Sequence, residues 1–256
     1  MASILIKVIG AFLLFSTWGV SFATETIKLA VGEYTPYIAK DLKHHGLASH
    51  IVTEAFALVG YDAELIFSSQ RRAYEDGKSR YDGTFLWFRN PQREADFFFS
   101  DPIIEETQYF FHLKSFKISW HTLDDLKGMD VGGINGFYYG PEYKQYVDDK
   151  KIAVDLAVED VHNFRKLLAG RIQLFPQELR VGYDAIRKYF SPEEAALFTH
   201  HPKPLYTNFS YLLLSRSDPD NRRIMEEFNK GLRLLRESGR YEQFVKAFEQ
   251  GEYLEQ

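Results

Sequence analysis

Along the chain, hydrophobic positions switch between a two-residue and a 3.6-residue period, and each switch marks an element. Ile27-Lys-Leu-Ala-Val-Gly32 reads as a first strand, ended by a turn at Thr35-Pro36. Leu47, Ile51, Ala55, Leu58 and Val59 recur at helical spacing, with Gly60 placed as a C-cap. Ala63–Phe67 is a second strand, Arg71–Asp76 a short helix closed by Gly77, and Tyr81–Phe88 an apolar run expected of a strand covered on both faces. Strand–helix–strand–helix–strand is the order of a parallel sheet with crossover helices.

The pattern then restarts. Thr122-Leu-Asp-Asp125 forms a capping box before a short helix, Met129–Ile134 reads as a strand, and residues 136–140 as a turn rich in aromatics. Ile152–Leu156 is a strand, Val161–Leu168 a helix closed by Gly170, Ile172–Phe175 a strand and Val181–Tyr189 a helix. Asn208–Ser215 is a strand, Arg222–Ser238 a long amphipathic helix and Tyr241–Phe248 a last helix. Two α/β units with no Pro/Gly/Ser linker suggest strands that cross between two lobes, with a cleft at the crossing.

The N-terminus breaks this pattern. Lys7 is followed by a 17-residue uncharged stretch, residues 8–24, ending in small residues at Ser21-Phe-Ala23. It is short for a membrane span and reads as a signal peptide cleaved after Ala23, giving a periplasmic protein; an uncleaved anchor is the alternative. The remaining 233 residues carry 30 basic and 36 acidic side chains, a balance that argues against a nucleic-acid partner. The absence of cysteine excludes disulfides, thiolate metal sites, a cysteine nucleophile and a lipidated N-terminal cysteine.

Catalytic signatures are missing. There is no Gly-x-Ser-x-Gly elbow, phosphate loop or His-Glu-x-x-His, and Val131-Gly-Gly-Ile-Asn-Gly136 has the wrong glycine spacing for a dinucleotide turn. The pairs His44-His45 and His200-His201 lack partners at ligand spacing, so neither a metal nor a cofactor is implied. Asn208-Phe-Ser210 fits a glycosylation sequon inside an expected strand and reads as chance.

The segment Gly77-Lys-Ser-Arg-Tyr-Asp-Gly-Thr, followed by Arg93-Glu-Ala-Asp-Phe-Phe-Phe-Ser-Asp-Pro102, resembles the family 3 extracellular solute-binding proteins. The similarity continues through Leu123-Asp-Asp-Leu-Lys-Gly128, Leu167-Leu-Ala-Gly-Arg-Ile172 and Gly239-x-Tyr-x-x-Phe-x-x-x-Phe248, in order along the chain. The resemblance implies an α/β, two-lobed periplasmic-binding-protein-like (type II) fold with hinge strands between the lobes. It divides the chain into a first lobe over 24–108, a second over 109–212 and a return to the first over 213–256. It implies a monomeric receptor, not an enzyme, that captures an amino acid or related small carboxylate for the membrane permease of an ABC importer. A receptor for a membrane signalling protein, or an exported lyase or dehydratase on the same fold, are the alternatives.

The resemblance also implies a site. Arg93 matches the arginine that clamps the ligand carboxylate, its alternative being an ion pair with Glu94 or Asp96. Glu178 falls where an acid receives the ligand ammonium, or is a solvated helix-start residue. Tyr34 matches an aromatic over the ligand, or is a core tyrosine at a strand end. The chain departs from the family at Leu86-Trp-Phe88, at Gly136-Phe-Tyr-Tyr-Gly140, at Gln70 and at Gln173, where smaller polar or other residues are usual. Phe88, Phe137 and Tyr138 are therefore expected to line the cleft, near a helix N-terminus, and to favour a more apolar ligand that still carries a carboxylate.

Overall fold

The computed structural model describes residues 25–254, so the leader assigned to residues 1–23 lies outside the described residues. The chain runs β1 (Glu25–Gly32), α1 (Leu47–Ala57), β2 (Tyr61–Ser68), α2 (Gln70–Ser79), β3 (Gly83–Phe88), α3 (Pro91–Asp96), β4 (Phe97–Phe99) and β5 (Ile104–Leu113). It continues with β6 (Val131–Ile134), α4 (Pro141–Asp148), β7 (Val154–Ala157), α5 (Asp160–Leu168), β8 (Phe175–Glu178), α6 (Leu179–Tyr189), α7 (Pro192–Ala195) and β9 (Phe198–His200). The chain then returns through β10 (Tyr206–Ser215), α8 (Asn221–Glu237) and α9 (Arg240–Glu249). Among the described residues no helix is long and apolar enough to cross a membrane.

The main sheet has the order β2-β1-β3-β10-β5-β8, with β4 added on β10 and β9 on β5. β1 pairs in parallel with β2 and β3, as the strand–helix alternation requires. The two ten-residue strands β5 and β10 change partners along their length. β10 pairs with β5 through Tyr206–Ser210 and with β3 and β4 through its second half. β5 pairs with β10 through Ile104–Gln108, then with β8 and β9. They are the two strands that run from one body of the protein to the other.

The hydrophobic core divides on either side of these strands. One body buries Leu29, Val31, Ile51, Phe56, Leu212, Phe228 and Leu232. The other holds two adjoining clusters, one around Phe110, Trp120, Val131 and Leu174, the second around Phe111, Phe164 and Phe175. Phe164 meets the rings of Phe111, Phe175 and Phe198 edge-on at centroid distances of 5.4, 5.2 and 5.3 Å. Each such fully buried side chain contributes roughly 1.5–3 kcal/mol, which is how a chain without disulfides holds together. Much of the aromatic excess is thus core.

Three expectations need correction. Gly77 lies inside α2 rather than ending it, because a Cβ there would sit 2.8 Å from the Gly83 carbonyl oxygen; glycine lets the helix lie close against β3. The strand expected over 172–175 is displaced to Phe175–Glu178. It tolerates Pro176 because β8 is the last strand of the sheet path. The C-terminal half of β3 is only partly buried, since it opens on the cavity described below.

Candidate functional site

A cavity of about 550 Å³ lies between the two bodies, lined on one side by Tyr34, Gln70, Arg71, Tyr74, Trp87, Phe88 and Arg93. Its other walls include Glu106 and Gln108 from β5 and the loop of Asn135, Gly136, Phe137 and Tyr138. That size suits a small metabolite.

Asn90 builds the arginine's position. Its side chain caps α3 by accepting the Arg93 backbone N–H at 2.9 Å, and Pro91 supplies the first helical residue. The Arg93 Nη1 donates to the Phe88 carbonyl at 2.7 Å, which fixes the guanidinium and leaves its other donors for the cavity. Its centre lies 4.8 Å from the Trp87 ring and 5.9 Å from Tyr74. Burial pushes its pKa below the ordinary arginine value; a guanidinium stays charged in proteins. The competing ion pairs do not form. Glu94 is held by Arg89 at 2.9 Å and Asp96 by Lys78 at 2.9 Å. The side chain of Arg71, also on the cavity wall, makes no ion pair or hydrogen bond with another described residue.

Trp87 and Phe88 reach the wall through an irregularity in β3. Leu86 adopts a left-handed backbone (φ 66°) where the register with β10 shifts. Such a conformation costs a leucine on the order of 1–3 kcal/mol, and this one re-aims the two following side chains at the site. Trp87 is then anchored by its Nε1–H on Thr84 Oγ1 at 2.9 Å.

Tyr34, Phe88, Arg93, Phe137 and Tyr138 all line the cavity. Tyr34 faces Phe137 across it at 6.1 Å, and Tyr206 of β10 stands between Phe88 (6.5 Å) and Tyr138 (5.9 Å). Phe137 and Tyr138 sit in the loop before α4, which begins only at Pro141, so they do not open that helix as expected. Tyr139 is core instead, its hydroxyl accepting the Ile134 N–H at 2.8 Å.

Glu178 is placed differently from the expectation. It is 1% exposed and absent from the cavity wall. Its Oε2 caps α6 by accepting the N–H groups of Arg180 and Val181 at 2.8 and 2.9 Å, and Oε1 accepts from the Tyr37 hydroxyl at 3.1 Å. Arg180 in turn donates to Tyr37 Oη at 3.2 Å and meets Glu249 of α9 at 3.4 Å. Desolvation raises the Glu178 pKa, against the pull of these donors. Glu178 therefore ties the two bodies together, with both carboxylate oxygens already engaged.

The acid that does face the cavity is Glu106, which the sequence reading passed over. It is 2% exposed, and burial drives its pKa up to about 8, assisted by the nearby Glu178 charge and opposed by hydrogen bonds from Ser210 and Tyr34. Its Oε1 and that of Gln108 are buried without a hydrogen-bond partner among the described residues. Each such acceptor left unpaired costs about 1–3 kcal/mol. The available signal was periodicity: Ile104, Glu106, Gln108 and Phe110 alternate onto one buried face. Among the described residues no three His, Cys, Asp or Glu side chains gather as a metal site.

No family model and no curated protein matches the sequence. Solved structures do share the fold. A histidine kinase sensor domain with similarity to periplasmic binding proteins superimposes with a TM-score of 0.70 at 18% identity, covering 90% of this chain and 96% of that one. A Salmonella typhimurium periplasmic binding protein with high arginine specificity gives 0.66 at 18% identity, covering 87% and 98%. An ancestral amino-acid-binding protein, a precursor of cyclohexadienyl dehydratase, gives 0.65 at 15% identity over 86% and 93%. The chain has the two-lobed α/β fold of the type II periplasmic binding proteins, with β5 and β10 as its hinge strands.

Proposed function

We propose that this protein is an exported receptor that binds an amino acid or related small carboxylate between its lobes and delivers it to the membrane permease of an ABC importer. The observation that carries this reading is the pair of arginines, Arg93 and Arg71, facing an aromatic-walled cavity without a carboxylate partner among the described residues. A planar guanidinium with free donors, stacked by Trp87 and shielded from water, is suited to clamp a carboxylate through two parallel hydrogen bonds. In this reading residues 1–23 are a leader removed after Ala23, and a monomer works in the periplasm. The lobe limits at 108/109 and 212/213 cut β5 and β10, where a hinge belongs.

Two features of the comparisons bear on the rivals. The likeness to a histidine kinase sensor domain supports a second reading, in which the loaded receptor signals instead of delivering cargo. The dehydratase precursor is itself described as an amino-acid-binding protein, which suits binding without turnover.

A thermal-shift screen of amino acids and small carboxylates tests the proposal. A compound at ~100 times its Kd adds ~2.7 kcal/mol to the folded state. Arg93→Ala should abolish that shift, and an unchanged shift would remove Arg93 as the anchor. Loss of uptake of the same compound when the gene is deleted supports delivery; intact uptake with a lost transcriptional response supports sensing.

A further inference from the structure

We infer that His50, its ring held between those of His44 and Phe244 in the first lobe, is an acid-operated latch: a proton on His50 releases the C-terminal segment around Tyr253 from that lobe. The inference stands apart from the cavity between the lobes and from what it binds.

Backbone strain and stacking build the latch. The turn at Lys43–His45 holds His44 (φ 52°) and His45 (φ 59°) in the left-handed region, and Gly46 (φ 94°) follows. Residues with side chains seldom adopt that backbone in succession, and here it lays the His44 ring on His50, 3.9 Å between centroids and 10° from parallel. Phe244 of α9 stacks on His50 at 3.8 Å, which makes His50 the middle ring of three. Tyr253, 3% exposed, closes the arrangement. Its hydroxyl lies 2.6 Å from His50 Nδ1, and its carbonyl accepts the Lys43 N–H at 3.2 Å. His50 Nε2 faces the Glu54 carboxylate at 3.9 Å, which favours the tautomer with hydrogen on Nε2 and leaves Nδ1 to accept the Tyr253 O–H. A proton on Nδ1 removes the lone pair on which that bond depends.

The surroundings oppose such a proton while Tyr253 is docked. Lys43 and His44 face His50 from the turn and Arg240 from α9. Lys246 of α9 and Glu252 of the C-terminal segment line an adjoining cavity of about 410 Å³. Glu54, on the same helix as His50, is already paired with Arg240. Burial first, then His44, Arg240 and Lys43, lower the docked His50 pKa to about 4, against 6.5 for an ordinary histidine. The undocked segment returns the imidazole to water and to its ordinary value. Docking is therefore fully favoured above about 6.5 and loses ground as pH falls towards 4, because the undocked form takes up the proton first.

The released segment bears on the meeting of the lobes. Tyr253 packs edge-on against Phe248 at 6.0 Å, near the end of α9. There Phe248 stacks on Tyr37 at 5.2 Å, and Glu249 meets Arg180 of the second lobe at 3.4 Å. Acid thus loosens α9 where it touches the other lobe.

Hydrogen exchange of the full chain tests the latch, read by mass spectrometry from pH 7 to 5 and corrected for the intrinsic pH dependence of exchange. That window lies above the ordinary carboxylate titrations. Protection of a C-terminal peptide containing residues 249–254 should fall about twentyfold across it, while a peptide of α5 around Phe164 keeps its protection. His50→Gln and His50→Phe, neither of which titrates, should each abolish the fall; the second also keeps an aromatic ring in the stack. Constant C-terminal protection in wild type overturns the inference. So does a fall shared equally by the α5 peptide, which is global unfolding, or a wild-type fall retained in either variant. Should one variant not fold, the other decides, and should neither fold, the wild-type contrast between the two peptides decides alone.

Discussion

Glu106 shows how much chemistry one buried side chain imposes on this protein. A carboxyl raised to about 8 in the folded state, against roughly 4.3 in an unfolded chain, binds its proton more tightly when folded. Its contribution to stability is present at acid pH and is lost as pH rises from the unfolded value through about 8, the reverse of a salt-bridged carboxylate. The melting temperature of ligand-free wild type should therefore fall across that interval relative to Glu106→Gln. Parallel melting curves for the two proteins would show that the acid is not perturbed. Legibility at this scale followed sequence distance. Arg93 was named through the resemblance of Arg93–Pro102 to a family motif, and the structure holds it with groups close in sequence, the Asn90 cap and the Trp87 ring, both within six residues. Glu106 was not, because its burial is made by β10 and β8, far along the chain. For Glu178 the sequence offered an ammonium-facing acid or a solvated helix-start residue, yet the direction of its side chain depends on Tyr37, 141 residues away.

Elements built from local signals came out close to the reading: β1 to β3, α1, α5, α8 and α9 lie where period and capping put them. The capping box at Thr122 is present, with Asp125 accepting the Thr122 N–H at 2.9 Å. What escaped were elements defined by partners rather than pattern. β5, one of the two longest strands among the described residues, carries no turn signal or clean alternation along its full length, and β8 lies at Phe175–Glu178 instead of 172–175 because its pairing with β5 defines it. The crossing of α1 and α8 is a further case. A Cβ on Gly231 would lie 1.9 Å from the Ala55 carbonyl oxygen, so the two helices touch backbone to side-chain-free backbone. Gly231→Ala gains up to about 1 kcal/mol of helix propensity but should still destabilise the protein, by about 1–3 kcal/mol from overpacking. Chemical denaturation would register this as a lower midpoint with unchanged slope; a midpoint equal to or above wild type would contradict the close crossing.

At the scale of the molecule, two cores meet across β5 and β10, and the cavity opens where those strands change partners. The aromatic excess divides accordingly. Phe164 and its neighbours fill the second core, while Trp87, Phe88, Phe137 and Tyr138 wall the cavity. Trp87 also makes the site observable, since its ring lies 4.8 Å from the Arg93 guanidinium and Trp120 is buried elsewhere. With Trp18→Phe and Trp120→Phe leaving Trp87 as the single tryptophan, its emission should report directly on occupation of the arginine. Titration with at least one L-amino acid should give a saturable change in Trp87 emission, lost when Arg93→Ala is added. Emission that stays flat across all the amino acids, or that saturates equally without Arg93, would contradict amino-acid binding at Arg93.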